Sequence, residues 1–111
     1  MRYALMLLLT GCATSNLVAI DYNNPPPADW PKLTERLMYV DTEEMLKLCG
    51  PKTGNAKGCS NINFRTGVCR IVLSTKDPAL LAHEREHCRG YDHVGDLNRS
   101  RNEWERWKKA K

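Results

Sequence analysis

His83-Glu84-Arg85-Glu86-His87-Cys88-Arg89-Gly90-Tyr91-Asp92-His93 contains all three histidines of the chain and has the form HExxHxxGxxH. On a helix, His83 and His87 are four residues apart, so both imidazoles leave the same face with Cβ atoms about 6 Å apart. Two ring nitrogens at about 2.0–2.1 Å from one zinc ion suit that spacing. Glu84 follows the first histidine directly, where its carboxylate reaches a metal-bound water without being a ligand. Gly90 can take a positive φ and turn the chain back. That turn brings His93 toward the metal as a third ligand.

These eleven residues resemble the zinc-peptidase (zincin) signature, and the longer form resembles that of the metzincins. Metzincins carry a methionine turn after the third histidine. Every methionine here (Met1, Met6, Met38 and Met45) precedes it, so the match is to the plain zincin pattern. The resemblance implies Zn2+ held by His83, His87 and His93, with Glu84 as general base in peptide-bond hydrolysis. Three histidines leave a fourth position open for water, whose pKa zinc lowers to about 7. Glu84 would take the proton of that water and hand it to the leaving amine. Asp92 or Tyr91 can support the site, as a carboxylate orienting a histidine or as a donor to a developing oxyanion. Asp96 is the other candidate third ligand, should His93 point away.

The flanks supply the helix that the motif needs. Asp77 suits an N-cap and Pro78 the first helical position, while Leu80, Leu81 and Ala82 are expected in the core. Upstream, Val68–Leu73 is the best strand of the chain, and Arg65-Thr66-Gly67 is a turn. With Ile62 and Phe64 alternating before it, a hairpin is expected. By analogy with zincins, a strand beside the active helix would offer its edge to an extended peptide. Leu37-Met38-Tyr39-Val40 reads as a short strand. Asp41 then caps a helix, with Glu44 in the capping-box position and Met45, Leu46 and Leu48 apolar. Cys49-Gly50-Pro51 stops that helix, and Lys52–Gly58 is a polar loop. After His93, Asp96 can cap a last helix that turns Leu97, Trp104 and Trp107 to one side and completes a small core.

Residues 1–11 read as an export signal: Arg2 is followed by the apolar run Ala4–Leu9, far too short to span a bilayer. Leu9-Thr10-Gly11-Cys12 resembles the bacterial lipobox, which implies cleavage before Cys12 and lipid on its thiol. Residues 12–31, with Pro25-Pro26-Pro27, then read as a lipid-anchored, semi-rigid tether, and residues 32–111 as one domain edged by Trp30. The expected location is the cell envelope, at the periplasmic face of the outer membrane in a Gram-negative cell. Loss of Arg2 would lower the formal charge from +4 to +3. Mild, interspersed charge gives no basic block for nucleic acid, so the expected partners are a peptide or protein substrate and the membrane.

Besides Cys12, Cys49, Cys59, Cys69 and Cys88 are an even number, as expected in an oxidising compartment. Four cysteines allow three pairings. Cys69 shares a strand face with Ile71 and Leu73, and Cys88 a helix face with Leu81, which favours Cys69–Cys88 and leaves Cys49–Cys59 to close the polar loop. No CxxC pair suggests a zinc finger. The expected fold class is α+β: a minimal zincin-like domain with a small antiparallel sheet, an active-site helix and flanking helices, stapled by disulfides. The alternative function is a non-catalytic envelope lipoprotein, a small binding module stabilised by disulfides or zinc.

Overall fold

The computed structural model describes residues 17–51 and 56–111. The expected signal peptide, Cys12 and part of the polar loop lie outside the described residues.

The apolar run Val68–Leu73 forms β3, the middle strand of a three-stranded sheet. Gly58–Asn63 (β2) pairs with it antiparallel as the expected hairpin. Asn63 fixes the turn, its side-chain oxygen accepting from the backbone N–H groups of Arg65 and Thr66. Thr34–Tyr39 (β1) lies on the other side of β3 and runs parallel to it, with Thr34 opposite Val68 and Tyr39 opposite Leu73. The sheet is therefore mixed and not wholly antiparallel. A parallel pair needs a long crossover. Here the helix Thr42–Cys49 (α1) followed by β2 provides it. Alternation within a strand shows which residues share a face but not which strand lies alongside.

Helices cover both faces of this sheet. Asp41 caps α1 by accepting from the Glu44 N–H at 2.8 Å, and Met45 is fully buried. The Cys49–Cys59 disulfide ties α1 to β2 on the face that Cys59 shares with Val72 of β3. On the opposite face, Cys69, Ile71 and Leu73 pack against the helix Pro78–Cys88 (α2) and form the main core with Leu80 and Cys88. The Cys69–Cys88 disulfide closes that layer. Asp77 caps α2 as expected, accepting from Ala79 N–H at 2.9 Å. Leu81 is packed against the core, whereas Ala82 is exposed.

The last helix, α3, runs from Arg99 to Ala110. Its N-cap position is Asn98, not Asp96, and Asn98 makes no side-chain cap bond. The Asn98 side-chain oxygen instead accepts from Asn24 at 2.6 Å, and Leu97 is almost fully exposed. Trp104 and Trp107 stack with ring centroids 5.6 Å apart and meet Phe64, with Trp104 buried and Trp107 half-buried.

The described part of the expected tether lies on the domain. Leu17 packs against the main core, and Trp30 Nε1 donates to the Cys88 carbonyl at 3.1 Å. Ile20 forms an antiparallel bridge with His93, flanked by Asp21 N–H to Asp92 O and Val94 N–H to Ala19 O, each 2.9 Å.

Candidate metal centre

Helix α2 carries His83, Glu84 and His87, and its end is set by Gly90 at φ +95°. A side chain at that φ is strained, and a Cβ at Gly90 would stand 2.7 Å from Pro26 and from the Trp30 ring. Only glycine lets the chain reverse so tightly beneath residues 26–30. Arg101, itself buried, holds the reversal by donating to Gly90 O at 3.1 Å and also to Asn24 O. The chain then runs through Tyr91 and Asp92 to His93, where the Ile20 bridge fixes it.

The result is a convergence of three imidazoles. The Nε2 atoms of His83 and His93 are 3.0 Å apart, those of His87 and His93 3.0 Å, and those of His87 and His83 3.2 Å. Tetrahedral zinc with 2.0–2.1 Å bonds separates its nitrogens by about 3.3–3.4 Å. The observed triangle is slightly smaller. The three residues can therefore hold a metal ion.

Hydrogen bonding around the rings points the same way. His87 Nδ1 lies 2.8 Å from the Tyr91 carbonyl, which can only accept, so the ring hydrogen sits on Nδ1 and Nε2 presents a lone pair. His93 Nδ1 faces Asp96 Oδ2 at 3.4 Å, which favours the same tautomer. At least two bare nitrogens thus face each other, an arrangement that a shared cation relieves. Burial pushes the His83 pKa down to about 4, helped by the two neighbouring imidazoles. Burial likewise lowers that of His87. Neutral rings are the metal-binding form.

Glu84 is not part of this three-histidine group but lines the same cleft. It is 5% exposed, and burial pushes its pKa up to about 7, against the opposing effect of a hydrogen bond from Ser60. Its residue lines a cleft of about 480 Å³ together with His87, His93 and the β2 residues Cys59, Ser60 and Ile62. Among the described residues β2 is an edge strand, with β3 on one side, and its residues line the cleft.

All three expected histidines come together, and Asp96 backs His93 instead of replacing it. Tyr91 contributes its carbonyl, while its ring lies 5.2 Å from that of Tyr22. Asp92 is buried beside Ser100 in the cleft wall. The sequence offered no reason to single out Ser60, Ser100 or Arg101. Ser60 did leave one trace, as a polar residue two before Ile62 on the face turned to α2. Comparison with protein-family models, curated proteins and solved structures gave no match.

Proposed function

We propose that this chain is a zinc-dependent peptidase of zincin type, exported and anchored at the bacterial cell envelope through lipid on Cys12. The observation that carries the proposal is the convergence of three imidazole nitrogens within 3.2 Å, with buried Glu84 one residue along, on a cleft lined by β2, an edge strand among the described residues. An all-imidazole donor set of this size suits zinc among the common protein metals. When bound, zinc would supply Lewis acidity and a water of lowered pKa.

The chain's own residues supply the rest. Glu84, held near neutrality by burial, accepts the proton of the attacking water and returns it to the leaving amine. Ser60 orients that carboxylate from β2 and favours its ionised form. A substrate peptide adds to β2 in extended form, using backbone hydrogen bonds for affinity and laying a carbonyl beside the histidines. Both described disulfides suit an oxidising compartment.

X-ray absorption on the purified, zinc-loaded domain tests the site. The expected shell is three nitrogens from imidazole plus one light oxygen or nitrogen atom exchangeable with an added hydroxamate. A fourth protein ligand that hydroxamate does not displace would make the ion structural and favour the binding-module alternative.

A further inference from the structure

The cleft holds a carboxylate that the hydrolytic steps leave unused. Asp92 is 6% exposed and lines the cleft wall between His93 and α3. Its Oδ1 accepts from Ser100 Oγ at 2.8 Å. Its Oδ2 is buried and, among the described residues, has no hydrogen-bond partner. An ionised oxygen in that condition lacks the donors it would have in water. The metal does not answer this need, because the ligand group formed by the three histidines does not include Asp92.

The surrounding wall has the same sign. Asp96 and Glu103 line the cleft with Asp92, and among the described residues that line it Arg99 is the one lysine or arginine. Three carboxylates against one guanidinium, in a chain of net charge +4, form a local acidic concentration. Clefts lined by one sign of charge attract ligands of the other.

We infer that Asp92, with Glu103 and Asp96, forms a subsite for a cationic group of the substrate, an alkylammonium or guanidinium that donates to Asp92 Oδ2. The substrate class is then a basic peptide, an inference that rests on the peptidase reading for the word substrate though not for the cation. The group can be a lysine or arginine side chain or a free N-terminus. Glu103 and Asp96, both exposed, draw the cation in, and Asp92 makes the buried contact.

Anisotropy titrations of the mature, lipid-free protein carrying Glu84→Gln measure binding apart from cleavage. Four labelled peptides of equal length are compared: an internal lysine or norleucine, each with a free or an acetylated N-terminus. The lysine peptides should bind roughly tenfold or more tighter than their norleucine counterparts, as for a desolvated charge pair. If acetylation governs affinity instead, the N-terminus is the occupant. Asp92→Asn, which keeps an oxygen toward Ser100, should reduce the preference to under about threefold. Glu103→Gln, on the exposed face of α3, should reduce it in part and cannot be dismissed as misfolding. Equal binding of all four peptides, or a preference that survives both substitutions, overturns the subsite. Cleavage by the protein with Glu84 intact separates the two ideas. Cation preference without any cleavage removes the peptidase and leaves the subsite, and cleavage without preference does the reverse.

Discussion

A neutral imidazole has one ring hydrogen, and in His87 that hydrogen is committed to the Tyr91 carbonyl. The sequence alone pointed to three histidines that could share a metal ion. The tautomers that make them ligands depend on Tyr91 O and Asp96, which the chain reversal brings up. Replacing His83, His87 or His93 by alanine should each reduce bound zinc from one equivalent to well below it in dialysed protein, read by elemental analysis. Glu84 responds differently because it is not a ligand. In the metal-free domain its folded pKa of about 7 stands above the unfolded value of 4.5. The folded state therefore keeps a proton that the unfolded chain releases. That stabilisation is complete below pH 4.5 and is lost as pH rises through 7. Metal-free Glu84→Gln should accordingly gain on the unsubstituted protein between pH 5 and 8, on the order of 2–3 kcal/mol at the upper end. Urea unfolding at several pH values measures it, and a difference that shrinks with rising pH would contradict the burial of Glu84. Ser60→Ala removes a bond to the ionised carboxylate and should move the acid limb of the pH–rate profile upward.

Among the elements, α2 was the most legible. Asp77 and Pro78 announced its start, and the i, i+4 histidines fixed its working face. The hairpin of β2 and β3 and both disulfide partners could also be read, because each follows from local alternation or from which side a cysteine faces. β1 was placed a few residues late and its parallel direction missed, since pairing with β3 is decided by a crossover and not by β1 itself. The start of α3 was misplaced for a different reason. Asp96, the expected cap, faces His93 instead, and the helix starts two residues later behind Asn98, whose side chain bonds Asn24. The reversal after α2 carries a sharper test. Gly90→Ala puts a Cβ at φ +95° within 2.7 Å of Pro26 and Trp30. Backbone strain and overpacking together should cost about 2–4 kcal/mol in denaturant unfolding. Zinc affinity should fall as His93 is displaced. Full stability with full zinc binding would mean that this turn does not set the third ligand.

As a whole molecule, the chain compensates for a small core with covalent closure. Cys69 and Cys88 join the central strand to the end of the histidine helix across 19 residues. Replacing both by alanine should cost about 2–4 kcal/mol and loosen metal binding as well, measured by thermal unfolding with and without zinc. The N-terminal side is shorter as a spacer than its prolines suggested, because Leu17 already packs on the core. With lipid on Cys12, five residue steps reach at most ~17 Å, so the proposed anchor would hold the domain close to the membrane. Cys12→Ala should abolish lipid labelling and release the protein from membranes, and unchanged labelling would remove the anchor. If Glu84 is the base beside a three-histidine zinc ion, peptide cleavage by zinc-loaded Glu84→Gln must fall far below that of the unsubstituted protein. The variant should keep one zinc per chain and lose about 10²–10⁴-fold in rate. Cleavage as fast as that of the unsubstituted protein, at equal zinc content, would mean that Glu84 is not the base and that the zincin mechanism proposed for this chain is wrong.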